Sequence, residues 1–221
     1  MILRQAQDEL QALIFDLDGT IIDSREDIAD AANFALERLG VPAVPSPSVW
    51  RHIGGGIRSL LGGILKTEDA IVIRKAVEHF REYYSEHCLD KTVLYLGIPE
   101  VLAHYADQRR RMAVVTNKDH EFTGKILTGL KIEKYFQSRI GAREGDKKKP
   151  HPDLLHRALE ELKSDPAQTV IIGDSPADIE AGQKAGTKTC GVGYGIGEPE
   201  KIRKAKPDFW AENPGELMGL F

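Results

Sequence analysis

The sequence predicts an α/β fold: a parallel sheet covered by helices, with a small helical domain inserted after the first strand. Three observations carry this. Short apolar runs alternate with longer segments of helical period, the pattern of parallel strands joined by crossover helices. Several of those runs end abruptly in polar or acidic residues, as strands do when their carboxyl ends face a ligand crevice. One interval, residues 20–95, is helical in pattern and carries no convincing strand.

Taken in order, strands are expected at 11–16, 112–117, 169–174 and 188–192, with a weaker one near 135–140 and an edge strand at 208–211. Helices are expected at 120–130, 153–162 and 177–185, and Gly186 stands where a C-terminal glycine belongs. In the inserted interval, Ser24 reads as an N-cap with Asp27 three residues on, opening a helix that runs to Gly40. Pro42, Pro45 and Pro47 punctuate a loop, and helical pattern resumes near Ile57 and over 68–87. That is too long for an ordinary crossover.

Composition narrows the function classes. The chain has 221 residues, 41% hydrophobic and 29% charged, which suits a globular protein of one large domain or a domain with an insert. A formal net charge of -4 gives no global reason to expect nucleic-acid binding. No apolar run approaches the ~18 to 20 residues of a membrane span, and MILRQAQDEL carries acids where a secretion signal needs an apolar core. Cys88 and Cys190 have neither metal-ligand nor redox spacing and read as free thiols, consistent with a cytoplasmic protein.

The chemistry sits at the strand ends. Ala12-Leu13-Ile14-Phe15 runs straight into Asp16 and Asp18, two carboxylates that share one side of an extended chain, with Gly19 allowing a sharp turn. Burying such charge is costly unless it is paired or metal-bound. Thr116-Asn117 and Asp174 end two later runs, and Lys149 precedes the helix expected from 153. Brought together, these groups suit phosphoryl transfer. Asp16 would be the nucleophile and Asp18 the acid and base, with Mg²⁺ on Asp16 and Asp174. Thr116, the Asn117 N–H and Lys149 would stabilise the transferring oxygens. Lys147 and Lys148 read as a solvated loop face, and Gly191 to Gly197 as a glycine-rich run too weak to signal a nucleotide site.

Asp16-Leu17-Asp18-Gly19-Thr20, Thr116-Asn117, Lys149-Pro150 and Gly173-Asp174-Ser175-Pro176-Ala177-Asp178 follow one another as the four motifs of haloacid dehalogenase-like phosphatases do. The chain resembles that superfamily over nearly its whole length, and is most similar to the phosphoglycolate phosphatase branch. The resemblance implies a Rossmann-like parallel sheet core, residues 1–19 and 96–221, with a helical cap domain at 20–95. It implies metal ligation by Asp16, the backbone carbonyl of Asp18 and Asp174, with Asp178 as a more distant metal partner. Gly19, Asn117, Gly55, Gly56 and Arg58 become candidate substrate-binding residues, the last three in the cap turn Ile53-Gly54-Gly55-Gly56-Ile57-Arg58. The expected activity is Mg²⁺-dependent hydrolysis of a small phosphomonoester, first of all 2-phosphoglycolate, by a monomer or homodimer without nucleic-acid or membrane partners. The alternatives are a pyrophosphatase, a nucleotide or sugar-phosphate phosphatase, or a phosphomutase like β-phosphoglucomutase. A dehalogenase has no need of Asp18 or Mg²⁺. A phosphorylated receiver module is shorter and lacks the insert.

Overall fold

The computed structural model describes residues 10–221. The first nine residues, read above as unlike a secretion signal and as the start of the core, lie outside the described residues. Six strands form one sheet in the order β5-β4-β1-β6-β7-β8. They are β1 (Ala12–Phe15), β4 (Arg111–Asp119), β5 (Ser138–Ala142), β6 (Thr169–Gly173), β7 (Lys188–Val192) and β8 (Phe209–Ala211), and every pairing is parallel. The chain is thus an α/β protein of the expected Rossmann-like class.

β1 is fully buried because both faces of the sheet are covered. Leu13 and Phe15, with Val114, Val170 and Ile172, point into one apolar cluster. Ala12 and Ile14, with Ala113, Val115 and Ile171, point into the other, closed by Leu154, Leu155, Ala158 and Leu159. Those four leucines and alanines lie on the helix Asp153–Leu162, whose apolar residues recur with helical period. Each large side chain buried this way contributes roughly 1.5 to 3 kcal/mol. Register puts Phe15 beside both Val114 and Ile172. The ends of β1, β4 and β6 are therefore neighbours, and whatever follows them shares one crevice.

The inserted interval between β1 and β4 holds four helices within residues 20–95: α1 (Arg25–Arg38), α2 (Ser46–Trp50), α3 (Ile57–Leu65) and α4 (Ala70–His87). Ala29, Ala32 and Ala35 let α1 approach its neighbours closely, and α4 contributes Ala76, Phe80 and Tyr84 to the same core cluster. Asn33 fixes the proline loop by donating to Val44 O and accepting from Val44 N, at 3.0 and 2.8 Å. The interval is not wholly helical, however. Two-residue strands β2 (Ile22–Asp23) and β3 (Val93–Leu94) pair antiparallel and tie its two ends together.

Ser24 does not cap α1 with its side chain. Its hydroxyl donates instead to Asp18 Oδ1 at 2.5 Å. Asp27, expected in a capping role, is buried and accepts from Lys91 N, Thr92 N and Thr92 Oγ1. It clamps the returning chain onto α1. The remaining helices are α5 (Ile98–Asp107), α6 (His120–Gly129), α7 (Asp153–Leu162), α8 (Pro176–Ala185), α9 (Pro199–Lys204) and α10 (Pro214–Leu217). Gly186 ends α8 at φ +78°, where a side chain would be strained. Cys88 and Cys190 are free and buried, and among the described residues no helix is long and apolar enough to cross a membrane.

Candidate active site

Asp16 follows the last residue of β1 and donates its backbone N–H to Ile172 O at 2.9 Å, which locks it against the end of β6. The chain then turns on Leu17 O, which accepts from the N–H groups of Thr20, Ile21 and Ile22. Gly19, at φ +87°, makes the turn possible.

Asp16, Asp174 and Asp178 are all buried, and one oxygen of each lies within 4.8 Å of the others. Lys149, 5% exposed, answers them. Its Nζ lies 2.9 Å from Asp16 Oδ1 and donates to Asp178 Oδ1 at 2.6 Å and to Val115 O at 2.8 Å. Burial would pull this ammonium's pKa down, but the charges of Asp16 and Asp178 outweigh it and hold the pKa above its ordinary value. Lys149 is positioned by Asn117, whose side chain accepts from Lys149 N at 2.8 Å and donates to Lys149 O at 3.0 Å. Thr116, also buried, accepts at Oγ1 from Lys118 N.

One ammonium among three carboxyl groups leaves an excess of negative charge. Burial pushes the Asp16 carboxyl up to about 6 despite Lys149, and pushes Asp174 up to about 8, with the charges of Asp16 and Asp178 adding to the latter. Groups held this way near neutrality take either a proton or a cation. The donors are all oxygen, and both backbone N–H groups on Asp174, from Ile196 and Gly197, go to Oδ2 at 2.8 and 2.9 Å. The set fits a hard divalent cation such as Mg²⁺. Asp178 has a further task, because its Oδ2 accepts from Ser175 N and Ser175 Oγ, forming the capping box of α8.

The run from Gly191 to Gly197 proves to be part of this site. A Cβ at Gly195 would lie 2.3 Å from Gly19 O, and one at Gly197 would lie 1.8 Å from Asp174 O. Only glycine lets that loop deliver its N–H groups to Asp174. Its glycines serve backbone approach rather than nucleotide binding.

Sequence reasoning also passed over Lys118. Its Nζ, nearly buried, lies 2.9 and 3.1 Å from the two oxygens of Asp18 and 4.8 Å from the centre of the Tyr84 ring. Burial opposes the charge, but Asp18 outweighs it and raises the pKa of the ammonium. The signal was present in VVTNK, but the partner stands 100 residues away in sequence.

Asp16, Asp18, Thr116 and Lys118 line a cavity of about 40 Å³ whose other walls include Ile53, Ile57, Leu60, Phe80 and Phe122. The turn at residues 53–58 meets Asn117 on β4. Gly54 O accepts from Asn117 Nδ2 at 2.9 Å, and a Cβ at Gly56, φ +83°, would stand 3.0 Å from Asn117 O. Gly55 is exposed, and a Cβ there would meet the Ser59 side chain. Arg58 is exposed and lines a separate outer cleft of about 690 Å³ with Arg81, Asp119 and Lys148. Lys147 is exposed as expected, but Lys148 is half-buried beside Gly56, and burial lowers its pKa.

A family model for haloacid dehalogenase-like hydrolases matches residues 13–192. The chain belongs to that family. It is an enzyme of the phosphoric monoester hydrolase class. A phosphoglycolate phosphatase of Aquifex aeolicus is 38% identical over 211 residues, with 96% of each chain covered. A phosphoglycolate phosphatase of Vibrio parahaemolyticus is 33% identical over 219 residues, again with 96% of each covered. Among solved structures, that of a predicted phosphoglycolate phosphatase from Haemophilus somnus superposes with a TM-score of 0.87 at 28% identity, covering 96% of this chain and 98% of its own.

Proposed function

We propose that the chain is a Mg²⁺-dependent phosphatase that hydrolyses a small phosphomonoester, 2-phosphoglycolate first among them, through an aspartyl-phosphate at Asp16. The observation that carries the reading is the trio Asp16, Asp174 and Asp178, gathered within 4.8 Å beyond the carboxyl ends of β1 and β6, with the Lys149 ammonium on Asp16 and Asp178. The relatives named phosphoglycolate phosphatase support the choice of substrate.

In the first step an Asp16 oxygen forms the bond to phosphorus as the ester oxygen leaves, and Asp18 gives that oxygen its proton. In the second, water attacks the phosphorus, Asp18 takes its proton, and Asp16 is released with inorganic phosphate. Lys149, Thr116 and the Asn117 N–H hold the transferring oxygens, while Ser24 and Lys118 hold Asp18 in place. Asp16, the Asp18 carbonyl and Asp174 would bind the ion, with Asp178 behind them. Mg²⁺ there supplies charge neutralisation and orients the phosphoryl group.

Residues 20–95 would act as a cap over a core of residues 1–19 and 96–221, hinged at the β2–β3 ribbon. The turn carrying Gly55 and Gly56 would close the chamber, and Arg58 on the rim of the outer cleft would attract anions. A cytoplasmic enzyme acting as monomer or homodimer on a small soluble substrate accords with this reading.

The test is phosphate release, with and without Mg²⁺, from 2-phosphoglycolate, pyrophosphate, a nucleoside monophosphate and several sugar phosphates. The reading expects metal-dependent turnover led by 2-phosphoglycolate. Turnover spread over the other esters would overturn the named substrate. No turnover from folded protein would overturn the phosphatase.

A further inference from the structure

We infer that Lys118 and Tyr84 form the subsite that reads the part of the substrate beyond its phosphoryl group, and that they select a short acid carrying a carboxylate. The inference rests on the phosphatase reading and deepens it.

Three observations converge. First, among the described residues Lys118 is the only cation lining the 40 Å³ chamber that Asp16 and Asp18 open into. Lys149, the other buried ammonium, is absent from that wall and engaged with Asp16, Asp178 and Val115 O. Second, the rest of the wall is largely aliphatic and aromatic, so a second negative charge on a substrate would find no other countercharge there. Third, Tyr84 is buried on the same wall, with its ring 4.8 Å from Lys118 Nζ and its hydroxyl engaged with that ammonium.

A phenol oxygen that accepts from an ammonium still has its own O–H to donate. An ammonium carries three donors, and the two Asp18 oxygens engage at most two of them. The third meets the Tyr84 hydroxyl, so Lys118 offers the chamber its positive charge and Tyr84 offers an O–H donor beside it. A planar carboxylate has two oxygens to receive them. The cavity's size limits the remainder of the substrate to a few heavy atoms, the scale of a two- or three-carbon acid. Tyr84 stands on α4 and Lys118 on β4, so the subsite is complete only when the inserted helices lie against the sheet.

The experiment compares kcat/KM for 2-phosphoglycolate with that for 2-hydroxyethyl phosphate, which is nearly isosteric and lacks the charge. Wild-type protein, Lys118→Met, Lys118→Arg and Tyr84→Phe are assayed together. Lys118 also touches Asp18, but any loss through Asp18 falls on both esters and cancels in the ratio. The wild-type ratio is expected to favour 2-phosphoglycolate at least about 100-fold. Lys118→Met should bring the ratio near one, and Lys118→Arg should retain most of it. Tyr84→Phe, which keeps the ring and removes the O–H donor, should cut the ratio about tenfold. Equal turnover of the two esters by wild type, or a ratio unmoved in Lys118→Met and Tyr84→Phe, overturns the subsite while leaving the phosphatase standing. No turnover of either ester overturns both.

Discussion

A Cβ placed on Gly19 would lie 2.0 Å from Asp174 Oδ2. The turn after the first strand and the acid after β6 are therefore packed to the limit, and the proposed metal site has no room for any larger residue at position 19. Gly19→Ala adds a strained φ of +87° to that clash. The variant should fold, bind Mg²⁺ at least about tenfold more weakly and lose about 100-fold in kcat, since displacements of 1 Å in such sites cost that much. Calorimetric titration with Mg²⁺ and steady-state kinetics check it, and wild-type values in both would contradict it.

Lys149 is the sole ammonium touching the Asp16–Asp178 pair among the described residues. Lys149→Met leaves buried carboxylates facing one another. Loss of about 3 to 5 kcal/mol is expected in urea unfolding of the metal-free protein. Saturating Mg²⁺ should restore part of that loss, because a cation again stands among the acids. Unchanged stability without metal would contradict the charge balance described here.

The pH dependence follows from Asp16 and Asp174. Both carboxyls rise from the ordinary 3.8, to about 6 and about 8, chiefly through burial. They hold their protons more tightly folded than unfolded. Their contribution to metal-free stability is thus fully present below about pH 4 and is lost as pH rises through about 6 and then about 8. Metal binding needs them ionised. The rise in melting temperature given by saturating Mg²⁺ should therefore grow between pH 5 and pH 8. A constant rise, or one larger at pH 5, would contradict the assignment.

Asp27 lies outside the proposed chemistry but holds the insert's two ends together through Lys91 N, Thr92 N and Thr92 Oγ1. Asp27→Ala strands those buried donors, and a loss of about 3 kcal/mol is expected in urea unfolding. KM of the folded fraction should stay within about twofold of wild type. A loss below 1 kcal/mol would show that water replaces the carboxylate readily.

The parts of this protein that were legible in sequence are those whose signal is local. Asp16, Asp18 and Gly19 stand within four residues, and the helix Asp153–Leu162 repeats its apolar residues at helical spacing, so each announces itself. Lys118 does not, because a lysine after a strand is ordinary until Asp18 and Tyr84 are seen around it. Ser24 looked like a cap because caps and buried hydroxyl donors draw on the same residue type. The β2–β3 ribbon has two residues a side, too few for alternation to register. The run Gly191 to Gly197 shows only its composition in sequence, while its purpose is a contact with Asp174 about twenty residues earlier.

The central claim is that Asp16 becomes phosphorylated during turnover. Rapid acid quenching of the Mg²⁺-loaded enzyme with 2-phosphoglycolate labelled in its phosphoryl group tests it directly, followed by hydroxylamine treatment and borohydride mapping of the labelled residue. The account predicts protein-bound label that forms within the first turnover, is released by hydroxylamine, maps to position 16 and is absent in Asp16→Asn, which should also lose at least about 1,000-fold in kcat. Turnover without protein-bound label, retained by Asp16→Asn, would contradict it.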